Sequence, residues 1–501
     1  MNMSQILTER QQLELNKAIL QYLKPICASS GTESTYIELS KLLSPQSFTH
    51  TLDKNEDIVD QYLEKKWSSV LRLQKKILDL ENEIANIRSL IDLDNLAQNQ
   101  PIAHSKDRIN WLPMTPRYTF ETQSIVNTVQ LHPVLPLVFC GCADGSIYIW
   151  NFASDENTLP EKIIKAHTRS VNRIAFSWTP TKVDDDSNEK SYIFATCSSD
   201  LTIKLYNATT YQHLRTLRGH DHTISSISFS PSKDLLFSVS RDKSTKVWNV
   251  KEGTCIKSFV GHSDWVRNID VSTGDYGDFL VTCSNDQSAR LSHGQSGTGI
   301  AMMIGHSHVI EAVKFLPKVS NSIIDQYVSE NTDLFPNLPR DLIKDEVYNK
   351  LGFKYCITSS RDNTIKLWLL PPPVIIPGRP PLPSRHNHSQ AWLVANMVGH
   401  SSWVKTLQVH PNGKYIFSGS DDKTIKIWDL SGLNLAGKVG VIRSLPGHEG
   451  FLTDLGFARL SQKKNQAKPL ENEEDLLKEI VIRMRCIFVS CATDNLIKIW
   501  K

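Results

Sequence analysis

The sequence predicts an all-β domain built from seven repeated antiparallel units, preceded by α-helical segments. Residues 399–429 read GHSSWVKTLQVHPNGKYIFSGSDDKTIKIWD, in which apolar and polar residues alternate and turn-forming pairs separate the runs. A period of two interrupted by Asn-Gly and Asp-rich turns is typical of successive β-hairpins. One such unit cannot bury its own apolar face, and the pattern recurs seven times after about residue 111. Upstream, residues 13–23 and 70–91 space their apolar residues as helices do.

Each repeat carries an aspartate six positions before a closing aromatic residue or its substitute. The seven pairs are Asp144/Trp150, Asp200/Tyr206, Asp242/Trp248, Asp286/Ser292, Asp362/Trp368, Asp422/Trp428 and Asp494/Trp500. A histidine stands upstream in the last six repeats, namely His167, His220, His262, His306, His400 and His448. Four positions before each aspartate lies Cys140 in the first repeat and a hydroxyl residue in the others: Thr196, Ser238, Thr282, Thr358, Ser418 and Ser490.

This pattern resembles the WD-repeat signature, and the resemblance covers everything after about Trp111. It implies a seven-bladed β-propeller over residues 116–501, each blade being a four-stranded antiparallel sheet. The first repeat departs from the signature with Glu121-Thr122 in place of Gly-His, and Ser292 replaces the fourth tryptophan. Because the chain ends on the expected third strand of the last blade, we expect residues 117–121 to supply the missing outer strand and remove an exposed sheet edge.

The histidine, hydroxyl, aspartate and tryptophan of one repeat can form a buried polar chain. The aspartate accepts from the histidine ring, the histidine reaches the hydroxyl, and the hydroxyl accepts from the indole N–H, so that each buried polar group finds a partner. The alternative is a catalytic or metal-binding role, but seven copies in one structural register favour a scaffold. Two complete sets are His220, Ser238, Asp242, Trp248 and His400, Ser418, Asp422, Trp428.

The composition is that of a large soluble protein. A net charge of +3 over 501 residues predicts no bulk attraction to nucleic acid or to a membrane surface. Nine cysteines without paired spacing favour reduced thiols in an intracellular protein over a zinc site. The polar N-terminus predicts no signal peptide, and the chain has no run of about 18 apolar residues. We therefore expect no cofactor, no metal, no nucleic-acid partner and no membrane insertion.

The N-terminal residues 1–45 predict two short amphipathic helices. The first places Leu15, Ile19 and Leu23 on one face, and the second carries Tyr36 and Leu39. Short helices this exposed are expected to pair with a second copy of the chain. The pattern resembles the LisH dimerisation motif, although the loop at residues 24–35 is longer than that motif's usual turn.

Residues 57–98 predict a parallel two-stranded coiled coil. Apolar residues recur at alternating spacings of three and four, among them Ile77, Leu80, Ile84 and Ile87. Ile77 and Ile84 at a, with Leu73 and Leu80 at d, favour two parallel strands. A single amphipathic helix packed on the propeller is the alternative. Residues 99–115, with Pro101 and Pro113 inside the segment and Pro116 directly after it, predict a linker. Loop insertions interrupt the repeats near 182–190, 318–354, 371–390 and 461–480, where they can leave the blade sheets intact.

The order of these modules, together with the string KKWSSVLRLQKK at residues 65–76, resembles the lissencephaly / nuclear distribution family of cytoplasmic dynein regulators, nearly end to end. The insertions suggest a fungal member. The resemblance implies a non-catalytic dimeric adaptor that binds the motor domain of the dynein heavy chain and alters its grip on microtubules. It further implies roles in nuclear migration and spindle positioning, and a place in the cytoplasm at microtubule plus ends and spindle poles. Implied partners are a second copy, a dynein-targeting coiled-coil protein of the nuclear distribution pathway, and plus-end proteins.

Two other classes remain open. One is a WD-repeat scaffold of another complex, such as a ubiquitin ligase or a transcription assembly. The other is an enzyme or an obligate enzyme subunit, but the chain has no G-x-S-x-G nucleophile elbow.

Five residues from four repeats are candidates for a binding surface: Arg241, Arg267, Arg361, Trp403 and Lys423. Propeller geometry places the loop after each Gly-His and the turn around each aspartate on one face of the ring. A cationic cluster with a tryptophan anchor has the composition of a protein-binding hot spot. The alternative is that each arginine packs on a neighbouring blade or keeps its turn soluble. The resemblance implies that these five positions grip the ring-shaped dynein motor.

Overall fold

The computed structural model describes residues 112–153, 159–181, 191–335, 338–339, 342–383, 390–433, 439–457 and 487–500, together with residues 33–43 and five single positions nearer the N-terminus. The chain divides into two compact units, Met1–Ser105 and Lys106–Lys501.

In the first unit, the helix α1 (Glu33–Leu43) coincides with the predicted second short helix. It ends before Ser44-Pro45, because proline disfavours a helical backbone in the residue that precedes it. Ile19 and Leu23 are helical and half-buried. The coiled-coil prediction for residues 57–98 lies outside the described residues, as do Leu15, Ile77, Leu80, Ile84 and Ile87.

In the second unit, the described strands form seven four-stranded antiparallel sheets, which confirms the predicted propeller. After β1 (Pro116–Glu121), blades one to three contain β2 (Val126–Leu131), β3 (Leu137–Cys142), β4 (Ser146–Asn151), β5 (Lys162–Lys165), β6 (Val171–Phe176), β7 (Ile193–Ser198), β8 (Thr202–Asn207), β9 (His213–Arg218), β10 (Ile224–Phe229), β11 (Leu235–Ser240), β12 (Ser244–Asn249) and β13 (Cys255–Val260). Blades four to six contain β14 (Val266–Gly274), β15 (Gly277–Ser284), β16 (Ser288–His293), β17 (Gly299–Ile304), β18 (Ile310–Phe315), β19 (Tyr355–Ser360), β20 (Thr364–Leu369), β21 (Trp392–Val398), β22 (Val404–Val409), β23 (Tyr415–Ser420), β24 (Thr424–Asp429) and β25 (Val441–Pro446). Blade seven contains β26 (Leu452–Phe457), β27 (Phe488–Ala492), β28 (Leu496–Trp500) and β1.

The ring closes with a strand from each end of the propeller. β1 pairs antiparallel with β28, so that Phe120 lies opposite Ile497 and Glu121 opposite Leu496. This is the closing strand expected from the sequence. The first strands of successive blades contact one another from β2 through to β26 and back to β2. Blade closure therefore covers the sheet edge that β28 would otherwise expose.

The second and third strands of each blade join in a turn that an aspartate stabilises. In blade six, the N–H of Lys423 donates to the carbonyl of Ser420 at 3.1 Å, and Lys423 has a φ of 67°. The Asp422 carboxylate accepts from the N–H of Thr424 at 3.0 Å and from its hydroxyl at 2.6 Å. The same left-handed position is occupied in every blade, as at Gly145 with a φ of 87°. The aspartate thus supplies the acceptors that the turn's own backbone lacks.

The insertion at residues 318–354 joins β18 to β19 and leaves the blade sheet intact, as predicted, but it is folded rather than an open loop. It contains α2 (Asn321–Glu330) and α3 (Val347–Leu351), with 3-10 turns at Lys318–Ser320, Thr332–Leu334 and Leu342–Lys344. Ile324, Val328 and Leu351 are fully buried in the core that blades four to six share. Apolar residues at helical spacing in the insertion account for this packing.

This helical insertion also touches both neighbouring blades. The Ser320 hydroxyl donates to the carbonyl of Gly413 in blade six at 2.7 Å, and the Ser272 hydroxyl of blade four donates to the carbonyl of Gly352, also at 2.7 Å. A Cβ on Gly413 would lie 2.6 Å from the Ser320 hydroxyl, so the contact requires glycine there. The insertion therefore links three blades.

The described strands that flank the four insertions predicted from the sequence have the ends that lead into them on the same face of the ring. Residues 371–390 join β20 to β21 and are described as far as residue 383, whereas residues 182–190 and 461–480 lie outside the described residues. Each insertion connects the first and second or the third and fourth strands of a blade. In an antiparallel blade those connections lie at the edge opposite the aspartate turns. The aspartate face is therefore kept to short connections.

Candidate binding surface

The aspartate face presents the same backbone arrangement in every blade. The residue before the turn aspartate donates its N–H to the carbonyl of the residue before the first strand, at 3.0 Å from Arg241 to Thr223 and at 2.9 Å from Asp421 to Trp403. The other five bonds join Ala143 to Ile125, Ser199 to Ser170, Asn285 to Trp265, Arg361 to Val309 and Thr493 to Phe451. These two positions, together with the second residue of the first strand, define what we call the rim.

The polar chain predicted for each repeat is present below the rim. In blade six, the Trp428 indole N–H donates to the Ser418 hydroxyl at 2.8 Å, and that hydroxyl lies 2.7 Å from Nε2 of His400. Nδ1 of His400 lies 2.7 Å from Asp422. Blade three repeats these distances with His220, Ser238, Asp242 and Trp248, at 2.8, 2.7 and 2.7 Å. All donors find acceptors when the histidine is neutral with its proton on Nδ1.

The blades that depart from the signature lack part of this chain. In blade one, Cys140 stands where the hydroxyl should be, and the buried indole N–H of Trp150 has no hydrogen-bond partner among the described residues. In blade four, Ser292 replaces the indole, yet His262 still lies 2.9 Å from both Asp286 and the hydroxyl of Thr282. The histidine-to-aspartate link therefore does not depend on the tryptophan.

The electrostatics of the chain agree with a neutral histidine and a charged aspartate. Burial by itself would raise the pKa of Asp422, but hydrogen bonds from His400 and Thr424 outweigh it and hold that pKa well below its ordinary value. The corresponding balance brings the pKa of Asp494 down to about 2. Burial lowers the pKa of His400, despite the neighbouring Asp422 carboxylate. The histidine and the aspartate of each polar chain therefore have a structural role in the blade.

Four of the five candidate binding residues lie on the rim in two stacked groups. The Arg241 guanidinium of blade three lies 4.7 Å from the ring centroid of Trp265 in blade four, and that of Arg267 lies 5.7 Å from the same ring. The Arg361 guanidinium of blade five lies 4.4 Å from the ring of Trp403 in blade six. Arg241 and Arg361 pack on the ring of the next blade, as the alternative reading of the sequence proposed, whereas Arg267 packs on the tryptophan of its own blade. These contacts hold the arginines on the rim.

Side-chain partners orient the arginines further. Nε of Arg267 donates to Asn285 at 2.7 Å, and Nε of Arg361 donates to the Glu311 carboxylate at 2.5 Å. Burial and the neighbouring Arg267 charge lower the pKa of Arg241, while Glu311 opposes that shift. Cations crowded in this way gain from a partner that brings carboxylates.

The fifth candidate, Lys423, occupies the left-handed turn position of blade six with an exposed side chain. It shares the face with the other four, but the described contacts do not join its side chain to theirs. Trp403 is 40% exposed, so a large part of its ring is available to a partner. The surface thus combines arginines that stack on tryptophan rings, the partly exposed indole of Trp403 and the exposed side chain of Lys423.

Sequence reasoning missed several rim residues. Trp265 occupies the position of Trp403, and the strings SDWVR and SSWVK would have identified it. Glu311 and Lys405 occupy the position of Arg267 in their blades, and Lys405 pairs with Asp421 at 3.0 Å. An alignment of the repeats, position by position, would have identified Glu311 and Asp421 as the acidic partners on the rim.

The rest of the rim is neutral. In blade one, the Asn127 amide donates to the Ser170 hydroxyl of blade two at 2.8 Å. The Asn172 amide of blade two donates to the carbonyl of Ile224 in blade three at 2.7 Å. Charged and aromatic rim residues therefore form a charged arc, defined as the rim from Arg241 in blade three to Phe451 in blade seven.

The described residues also bear on two other kinds of site, a metal site and a membrane span. Among those residues, no group of three histidine, cysteine, aspartate or glutamate side chains is placed to hold a metal ion. No described helix is both long enough and apolar enough to cross a membrane.

Comparison with known proteins identifies close relatives along the whole chain. The nuclear distribution protein PAC1 of Candida tropicalis is 56% identical over 100% of both chains, and that of Candida albicans is 56% identical over 99% of both. The nuclear distribution protein nudF 1 of Talaromyces marneffei is 34% identical over 99% of this chain and 100% of its own. The chain belongs to the nuclear distribution protein family. Full-length similarity at this level extends to the N-terminal segments as well as to the propeller.

The nuclear distribution family shares its propeller with a wider class. The model of the WD domain, G-beta repeat, matches residues 114–151, 159–207, 211–249, 253–291 and 392–429. Each matched segment spans the outer strand of one blade and the first three strands of the next. This offset of one strand between repeat and blade explains why β1 must complete blade seven.

Proposed function

We propose that this protein is a non-catalytic dimeric adaptor that binds the motor domain of cytoplasmic dynein through the charged arc. The observation that carries the proposal is the stacking of Arg241 on Trp265 and of Arg361 on Trp403, on the face that carries the short aspartate turns. The sequence resemblance to dynein regulators and membership of the nuclear distribution family support dynein as the partner.

The stacked arginines suit recognition of carboxylates. A guanidinium that lies over an indole keeps its N–H edges available, and its position costs little further side-chain entropy on binding. Indole and guanidinium groups are also the side chains most often found in hot spots. We therefore assign the arc to an acidic surface of the motor, with Trp403 as the apolar anchor.

Dimerisation would present two rims to a two-headed motor. We assign the dimer contacts to Leu15, Ile19 and Leu23 and to the seam of Ile77, Leu80, Ile84 and Ile87, as the sequence predicts. Two linked rims would bind two motor domains with much higher avidity than one rim. Action at microtubule plus ends and spindle poles, with a dynein-targeting coiled-coil protein and plus-end proteins as further partners, belongs to the same proposal.

The test is the affinity of the full chain for a recombinant dynein motor domain. We expect the combined change of Arg241, Arg267, Arg361, Trp403 and Lys423 to alanine to abolish measurable binding, because it removes four cations and the anchor. Trp403→Ala alone should cost about 2 kcal/mol or more. Trp178→Ala, an exposed aromatic between β6 and β7 on the opposite face, is the control and should bind normally.

A folded five-residue variant that binds the motor like the unchanged protein would exclude the arc, and its melting temperature establishes that it is folded. Purification of the chain with its natural partners is the second test. Recovery of ubiquitin-ligase or transcription subunits without dynein heavy chain would favour the other scaffold function.

A further inference from the structure

Phe451 holds, in blade seven, the rim position that Trp265 and Trp403 hold in blades four and six. It is the residue before the first strand, here β26, and 47% of its surface is exposed. Its exposure exceeds the 40% of Trp403. Its place on the rim, in line with Trp265 and Trp403, makes this exposed ring a candidate for contact with the same partner.

A cation from the preceding blade accompanies this ring as it does the two tryptophans. Nζ of Lys405 in blade six lies 5.9 Å from the ring centroid of Phe451. Blade six has Asp421 at the position where blades three and five have arginine, and Asp421 holds the Lys405 ammonium at 3.0 Å. In blade six, Lys405 of the first strand therefore provides the cation that an arginine of the turn provides in blades three and five. The pairing of a cation with the ring of the next blade occurs three times along the arc.

The backbone at Phe451 is fixed independently of its ring. The N–H of Phe451 donates to the Thr493 hydroxyl at 2.9 Å, and the N–H of Thr493 donates to the Phe451 carbonyl at 2.9 Å. Both bonds involve the backbone of Phe451, so truncating the side chain leaves them in place. The backbone at this part of the rim therefore does not depend on the ring, and nearly half of the residue's surface is accessible to a partner.

We propose that Phe451, with Lys405 beside it, is a further aromatic anchor for the same partner, so that the binding surface extends into blade seven. The inference rests on the proposed function. It gives the partner's surface a definite chemistry: carboxylates opposite Arg241, Arg267 and Lys423, and an apolar side chain against Phe451 at the end of the arc.

The experiment measures the affinity of four full-length proteins for the recombinant dynein motor domain. They are the unchanged chain, Phe451→Ala, Phe451→Tyr and the control Trp178→Ala, each with its melting temperature. We expect Phe451→Ala to weaken binding about tenfold or more, because it removes an exposed ring that becomes desolvated on binding. Phe451→Tyr should restore affinity to within about threefold because it keeps the ring. Melting temperatures should agree throughout.

The outcomes separate this inference from the proposed function. If the five-residue variant loses binding while Phe451→Ala binds like the unchanged chain, the anchor at Phe451 is wrong and the dynein surface stands. Equal losses in Phe451→Ala and Phe451→Tyr would also overturn the anchor, because the ring would then not be what the partner recognises. If the unchanged chain fails to bind the motor, both the proposed function and the anchor fail.

Discussion

At the scale of single residues, the polar chain stabilises a blade because each of its hydrogen-bond donors has an acceptor within the chain. Asp422 shows this most clearly, since one carboxylate oxygen accepts from His400 at 2.7 Å and from the N–H of Ser401 at 3.2 Å. The other oxygen accepts twice from Thr424. The aspartate therefore joins the entry of the first strand to the turn between the second and third strands.

Blade one offers a test of this account because its indole lacks a partner. Cys140→Ser would place a hydroxyl where it can accept from the Trp150 N–H and donate to the Tyr148 carbonyl, which the Cys140 thiol now approaches at 3.6 Å. We expect the free energy of unfolding to rise by about 0.5–1.5 kcal/mol, the usual net contribution of a hydrogen bond. The measurement is thermal or urea unfolding.

Cys356→Ser is the matched control for this change. Cys356 is buried beside Met303, its sulfur 3.2 Å from the methionine sulfur, so a hydroxyl there loses a favourable sulfur contact and should destabilise the protein. Destabilisation by Cys140→Ser of the same size would contradict the role given to the hydroxyl.

The histidines of the polar chains predict a loss of stability on mild acidification. Burial lowers the pKa values of His306 and His400 below the unfolded value of 6.5, so the unfolded chain binds protons that the folded chain does not. The contribution of these histidines to the free energy of unfolding has its full value above pH 6.5 and declines as the pH falls below 6.5. A further decline should begin below about pH 4, where aspartates such as Asp494 are protonated in the unfolded chain but still charged in the folded one.

Melting temperatures between pH 8 and pH 3 test this expectation. We expect a first fall below pH 6.5 and a second, steeper fall below about pH 4. A melting temperature that stays constant from pH 7.5 to pH 5 would mean that the histidines are not held neutral.

At the scale of elements, the buried ammonium group of Lys354 joins separate parts of the insertion between β18 and β19. Nζ of Lys354, a residue only 3% exposed, lies 2.7 Å from Asp325 and donates to the carbonyl of Ile343 at 2.8 Å. The Tyr355 hydroxyl donates to the same Asp325 oxygen at 2.6 Å. Asp325 therefore ties α2 to the start of β19.

Asp325→Ala should lower the free energy of unfolding by about 1–3 kcal/mol, because it leaves the Lys354 ammonium without its carboxylate. The figure is below that of a fully buried pair, because 28% of the Asp325 side chain is exposed and water can replace part of the contact. Asp333→Ala, an exposed acid in the same insertion, is the control and should change stability little. Equal effects of the two changes would exclude a special role for Asp325.

At the scale of the whole molecule, the two faces of the ring differ in what the chain adds to them. The strand ends that lead into the insertions lie on one face, whereas the other face has the short aspartate turns and carries the charged arc over part of the rim. The described turns of the aspartate face are short, so they do not cover the charged arc. This separation lets the chain acquire insertions without altering the arc.

The N-terminal segment predicts a dimer, which a truncated chain beginning at Ile102 tests. We expect light scattering to report a monomer for it and a dimer for the full chain, because residues 57–98 supply the predicted coiled-coil seam. The truncated chain should also bind a two-headed motor far more weakly than the full chain, with unchanged affinity for a single motor domain. A dimeric truncated chain would contradict the coiled-coil assignment.

The sequence by itself determined the number of blades, the polar chains and the closing strand. These follow from local spacing, since an aspartate six residues before Trp428 and a serine four residues before that aspartate reach their partners within one hairpin. The tertiary structure alone decided that Arg241 lies over Trp265, that Lys405 lies beside Phe451, and that residues 318–354 fold across three blades. Those contacts join different blades, and their geometry depends on how neighbouring sheets are rotated and packed, which no spacing within one repeat encodes.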